Sequence, residues 1–239
     1  MSDDLKGELC RGARLLYRFG LSTGLAGHLS IKVGPDAMLV NRFGRSFGTL
    51  TPSDVLELDL KGNILDGKGH VNDTIRLHGI IHEQNPDIVA VAHAHPPAVV
   101  TFSALRTVPE VYDQESCFLA GVVGIVEDDY SGLASREDRV RPIAEALTHH
   151  QAVILPNHGA ITRGTSIPHA IILMIRLEEM VQRNLAVAAA SRATGIAATP
   201  IAPDVARMTR QELMGLKALP MVWEDLMARL RQTDGELFA

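Results

Sequence analysis

Residues 90–97 read AVAHAHPP, the end of an apolar run (IVAVAHAH, 88–95) that two prolines stop. The run is rich in valine and too short for an ordinary helix, so it is read as a strand ending at Pro96 and Pro97. Residues two apart in a strand share one face, roughly 7 Å apart at Cα. His93 and His95 thus stand side by side on one rigid element, where two imidazoles can share a metal ion. Two partly buried histidines without a ligand are the plainer alternative.

Working outward from that strand, helical spacing of Leu5, Leu9, Ala13, Leu16 and Tyr17 predicts an amphipathic helix over 3–19. HLSIKV (28–33) and AMLVN (37–41) read as strands joined at Gly34 and Pro35. A helical turn capped by Thr51 or Ser53 leads to another strand, and residues 74–84 form a helix. After the histidine strand come a helix at 97–105, a strand at 121–127, a helix at 136–150 and two strands at AVILP and GAITRG. A long helix spans 167–192, a linker covers 193–204, and two helices finish the chain at 209–216 and 221–231. Several strands are joined by tight turns, which argues for a mainly antiparallel or mixed sheet with helices on both faces. No GxGxxG or P-loop pattern occurs.

The 239 residues, 46% apolar and 21% charged, fit a single domain (1–239) whose residues 196–239 form a C-terminal helical extension. A net charge of -5 without a basic block argues against a nucleic-acid partner. The two cysteines, Cys10 and Cys117, form no CxxC pair and suit a reducing cytosol. No apolar run reaches the length of a membrane span, so a soluble, cytoplasmic protein is expected.

Other histidines compete for the metal. His158, in PNHGA between two strands, adds a third nitrogen donor to His93 and His95; three protein ligands with an open position are the catalytic arrangement. His78 and His82 share a helix face, but Gly79 stands where the HExxH glutamate belongs. Packing, or a bond behind the ligands, is the better reading for them. His149 and His150 end a helix, where its dipole favours positive charge.

GHLSIKV (27–33), LTPSDVLELDLKGN (50–63), RLHGIIHEQNPDIVAVAHAHPPAVVTFSA (76–104) and AVILPNHGAITRG (152–164) together resemble the class II aldolase/adducin-head family, over about residues 5–190. The resemblance implies a three-layer αβα sandwich and often a homotetramer with active sites between subunits. It also implies one divalent metal ion per subunit, held by His93, His95 and His158. Zinc, manganese, cobalt and iron all accept imidazole.

The departures from the family pattern are informative. Family enzymes usually carry a carboxylate acid/base where this chain has Thr74. Asp73, Glu115 and no carboxylate at all are the alternatives for that role. Tyr112 lies near the position of the family's catalytic tyrosine. Phosphate is cradled in sugar-phosphate members at positions matching Gly27, His28, Phe43, Gly44, Asn72 and Asp73. Phe43 offers no donor and Asp73 repels a dianion, so phosphate is not the expected handle. Arg42, Arg45 and Arg76 suggest a carboxylated small-molecule substrate instead, although each alone reads as surface charge.

The leading expectation is a metal-dependent carbon–carbon lyase, an aldolase acting on a small non-phosphorylated hydroxy-oxo acid. The alternative is a decarboxylase of a hydroxylated aromatic or heteroaromatic acid. Third is a non-catalytic module like the adducin head. Trp223 sits in an amphipathic C-terminal segment, which in related aldolases closes a neighbour's site.

Overall fold

The computed structural model describes residues 2–127, 132 and 137–238; Arg136, expected at the head of a helix, lies outside them. Helix α1 (Ser2–Arg18) precedes the strands β1 (His28–Lys32), β2 (Ala37–Asn41), β3 (Val55–Asp59) and β4 (Ile64–Asp66). Helix α2 (Arg76–Gln84), strand β5 (Ala90–Ala94) and helix α3 (Pro97–Ser103) follow. Then come β6 (Val123–Ile125), α4 (Glu137–His149), β7 (Ala152–Leu155), β8 (Gly159–Gly164) and the long α5 (Ile167–Thr194). Helices α6 (Pro203–Gly215) and α7 (Ala218–Thr233) complete the order.

The eight strands form one sheet in the order β4-β3-β2-β1-β5-β8-β7-β6. Only β6 and β7 pair in parallel; the other neighbours are antiparallel. The histidine strand β5 is central, with His93 opposite His28 of β1 and Ile161 of β8.

Alternation along the strands decides which layer each residue meets. Ala90, Ala92 and Ala94 turn to the layer of α1, α3, α5 and α7, joined there by Leu29, Ile31, Ala152 and Ile154. Val91, Val153 and Ile161 turn to the other layer, where Leu77, Ile80 and Ile81 of α2 meet Val140, Ile143 and Leu147 of α4. The result is the three-layer αβα sandwich with a mixed, mainly antiparallel sheet.

Two helix starts differ from expectation for local reasons. Asn72 Oδ1 accepts both the backbone N–H and the hydroxyl of Thr74, at 2.9 and 2.8 Å, so Thr74 stays in a turn and α2 begins at Arg76. Pro203 starts α6 six residues ahead of the expected 209, because proline suits the first helical position. Within α2, a Cβ on Gly79 would lie 1.8 Å from the Leu60 carbonyl oxygen, so a glutamate there has no room.

The C-terminal segment is tied to α1 by buried charge. Asp234 is 1% exposed and pairs with Arg14 and, at 3.0 Å, with Arg18. Arg14 also donates to the Phe47 and Leu50 carbonyls. Burial raises the carboxyl pKa of Asp234, but bonds from Arg18, Thr233 and Arg14 outweigh it and hold the group at about 2. The unfolded chain therefore takes up this proton first as pH falls. Its stabilisation is full above about pH 4 and lost as pH approaches 2. Replacing Asp234 by Ala is expected to destabilise the fold by about 3 kcal/mol, measured by urea denaturation at pH 7, and to flatten the acid limb of stability against pH.

Candidate metal centre

One nitrogen from each of His93, His95 and His158 lies within 4.8 Å of the others. His93 lies in strand β5, and His95 directly follows the strand's last residue, Ala94. The third comes from the tight turn between β7 and β8, where Asn157 adopts a left-handed φ of +56° and its N–H bonds Ser103 Oγ at 2.9 Å. Gly159 makes the meeting possible. A Cβ there would lie 2.4 Å from the Ala94 carbonyl and 2.7 Å from the His95 ring. The distinctive NHG triplet is thus a clearance requirement as well as a ligand.

His93 Nδ1 donates to the Ala160 carbonyl at 3.0 Å, which leaves Nε2 as a lone pair. That lone pair stands 3.2 Å from His95 Nε2. Two imidazole ligands at about 2.0–2.1 Å around a tetrahedral ion place their nitrogens at about this spacing, so the donor set fits one divalent cation. The carbonyl behind His93 supplies the orienting contact expected of such ligands. Burial first, and neighbouring rings second, hold His93 well below the ordinary imidazole range and His158 at about 4; burial lowers His95 too. Neutral rings are the metal-binding form.

The trio opens on a cleft of about 360 Å³. Gly27, His28, Asn72, Asp73 and Thr74 form one side, while Leu25, Phe43 and Leu77 give it apolar walls. Of the residues singled out in the sequence, Gly27, His28, Phe43, Asn72, Asp73 and Thr74 reach this cleft with the three metal-site histidines. Arg42, Gly44, Arg45, Arg76, Tyr112 and Glu115 are not among its lining. Arg42 and Arg45 lean on Asp54, at 2.8 and 3.4 Å, and Arg76 pairs with Glu83 at 2.9 Å. The expected arginine grip on a substrate carboxylate is therefore not assembled in this chain's cleft, because acidic neighbours hold those guanidiniums. Glu115 pairs with Arg176 at 2.6 Å.

Sequence reading missed the apolar residues Leu25 and Leu77, which carry no chemical signature. His78 and His82 lie in the polar layer behind the cleft rather than at the metal site, bonding His28, Ser30 and the Ile88 carbonyl and none of the three metal-site histidines.

Residues 7–185 match the family model described as Class II Aldolase and Adducin N-terminal domain. The 4-hydroxy-3-prenylphenylpyruvate oxygenase/4-hydroxy-3-prenylbenzoate synthase of Streptomyces roseochromogenus subsp. oscitans is 33% identical over 80% of this chain and 68% of its own length. The 3,4-dihydroxyphthalate decarboxylase of Arthrobacter keyseri is 28% identical over 75% of this chain and 77% of its own. Among solved structures, the L-fuculose 1-phosphate aldolase from Glaciozyma antarctica PI12 superposes with a TM-score of 0.86 at 28% identity, covering 98% of this chain and 91% of that one.

Calorimetric titration with Zn²⁺ or Mn²⁺ is expected to give about one site per chain. Alanine at His93, His95 or His158 should weaken binding by more than the roughly 10–100-fold that loss of an outer partner costs. Gly159→Ala should weaken it as well, by displacing His95.

Proposed function

Because this chain belongs to the class II aldolase and adducin N-terminal domain family, whose enzymes are divalent-metal-dependent lyases, we propose that it decarboxylates a hydroxylated aromatic or heteroaromatic acid. The observation that carries this reading is the cleft itself. Its walls are Leu25, Phe43 and Leu77, and a hydroxyl, Thr74, stands where family aldolases place a carboxylate. An aldolase of the usual kind removes a proton with that carboxylate. Loss of carbon dioxide requires no C–H abstraction.

His93, His95 and His158 would hold one divalent ion, zinc or manganese by preference. When bound, it supplies Lewis-acid stabilisation to oxygen-centred negative charge. The protein's own part is to position and to exclude water. Phe43 and Leu77 pack the ring, with Leu25 at the rim. Among the described residues of this chain no arginine lines the cleft; Arg42 and Arg45 pair with Asp54, and Arg76 with Glu83. A carboxylate left without a cationic clamp is easier to lose than one held by a salt bridge.

A second reading, aldol cleavage of a small non-phosphorylated hydroxy-oxo acid, is favoured by one observation: the carboxylate of Asp73 lines the same cleft. Whole-chain likeness to a fuculose-phosphate aldolase supports it too. The adducin-like alternative, a scaffold without activity, has no use for three convergent imidazoles. We further place the enzyme in the cytoplasm as a homotetramer with sites between subunits, where Tyr112 and Glu115 serve a neighbour's cleft. Among the described residues no helix is long and apolar enough to cross a membrane.

The deciding experiment incubates metal-loaded protein with hydroxyaryl dicarboxylates and, separately, with pyruvate or hydroxypyruvate plus aldehydes. Carbon dioxide release without aldehyde formation is expected. Aldol product or aldehyde without carbon dioxide establishes the second reading, and a protein that neither turns over nor retains metal is the scaffold.

A further inference from the structure

The two turns that carry His95 and His158 are tied to one short helix. Strand β5 ends at Ala94, His95 follows, and α3 starts two residues later at Pro97. At its other end α3 stops at Ser103, whose Oγ accepts the backbone N–H of Asn157 at 2.9 Å. His158 is the next residue. The seven residues of α3 rise about 9 Å from first to last, a fixed length between the two turns.

The start of α3 is an end that the local sequence leaves uncapped. The four leading N–H groups of a helix need partners from outside the regular ladder. Pro97 has no N–H, and that of Val100 reaches the Pro96 carbonyl at 2.9 Å. Those of Ala98 and Val99 remain, and Pro96, at the capping position, has no side-chain acceptor. Glu178 of α5 serves them from 80 residues away. Its Oε1 accepts from Ala98 at 3.0 Å, and its Oε2 from Ala98 and Val99 at 3.1 Å each. Gln182 Nε2 donates to Oε1 at 3.0 Å and steadies the carboxylate. The arginines flanking it on α5, Arg176 and Arg183, pair with Glu115, Glu179 and Asp113 instead. A buried carboxylate without a cation is costly. Three of its four bonds are spent on the first turn after His95.

The far end of α3 has a direction too. Ser103 is fully buried and its hydroxyl donates to the Val100 carbonyl at 2.7 Å, which leaves a lone pair for the Asn157 N–H. Asn157 holds a left-handed φ of +56°, a region sparsely populated outside glycine. The His158 N–H closes the same turn on the Leu155 carbonyl at 3.1 Å. His93 is oriented through its own ring, by the bond from Nδ1 to the Ala160 carbonyl. Among the described residues His95 Nδ1 makes no such bond, so that ring follows its backbone.

Resting on the metal-centre reading of His93, His95 and His158, we infer that α3 is the spacer that sets the separation of the His95 and His158 rings, and that Glu178 and Ser103 are positioning residues for the metal ion. Neither side chain is a ligand. Glu178 acts through the first turn of α3, and Ser103 through the turn at Asn157.

Titration of the metal-free protein with Co²⁺, followed by calorimetry and by the visible spectrum of the bound ion, tests this without turnover. Ser103→Ala removes the acceptor of the Asn157 N–H. It is expected to weaken Co²⁺ binding about 10–100-fold, the range for groups behind a metal ligand, and to alter the Co²⁺ spectrum. The metal-free variant should unfold only about 2–4 °C below wild type, as loss of one hydrogen bond implies. A folded Ser103→Ala protein with wild-type affinity and spectrum overturns the inference, because α3 is then a structural element only. Should that variant fail to fold, Glu178→Gln is read in the same way. Weakening of about tenfold or more supports the spacer, and unchanged affinity and spectrum overturn it. His93→Ala separates this result from the reading beneath it. Wild type that takes up no Co²⁺, or that loses no affinity on His93→Ala, refutes the metal centre itself and the spacer with it.

Discussion

The hydrogen bond from His93 Nδ1 to the Ala160 carbonyl is the interaction from which the site follows. It crosses the β5–β8 pairing, and so exists only when the histidine strand is seated beside the strand that begins at Gly159. By occupying Nδ1 it decides which nitrogen of His93 is bare and turns it toward His95 and His158. An imidazole lone pair in a buried place is costly unless a proton or a cation meets it. The same strand pairing that builds the sheet therefore builds an electron-rich point that a divalent ion satisfies.

Behind that point the sheet carries an unusual load. His28 and Ser30, the first and third residues of β1, face the layer of α2, positions where an apolar pair is the ordinary choice. Each unsatisfied polar group buried there would cost about 1–3 kcal/mol. Helix α2 answers with His78 and His82, one turn apart on one face, so that donors and acceptors alternate without interruption to the Ile88 carbonyl. Docking of α2 and satisfaction of β1 are thus one event. Gly79, on the next position of the helix, lets the backbone approach the Leu60 turn closely enough for it.

Charge elsewhere is paired for architecture rather than chemistry. Arg42 and Arg45 hold Asp54, and Arg14 with Arg18 holds Asp234. Glu178, 5% exposed, accepts from the backbone N–H groups of Ala98 and Val99 and so caps α3 just after the histidine strand. The cleft keeps Leu25, Phe43 and Leu77 as apolar walls opposite its polar side.

The amino-acid order alone determined the histidine strand, through period two and the Pro96–Pro97 stop, and the family, through four separated motifs. It also determined the near positions of most helices, because apolar periodicity and proline or glycine punctuation act over a few residues. Only the tertiary structure decided which side chains share a space. The arginines of NRFGRS read as candidate substrate ligands because Asp54, their partner, is separated from them by a loop with its own local logic. His78 and His82 read as packing or as a bond behind the ligands, because their partners on β1 lie about fifty residues earlier. Hydrogen-bond direction, clearance at Gly159 and competition among charges are properties of distance in space, and a linear pattern carries no record of that distance until the sheet has closed.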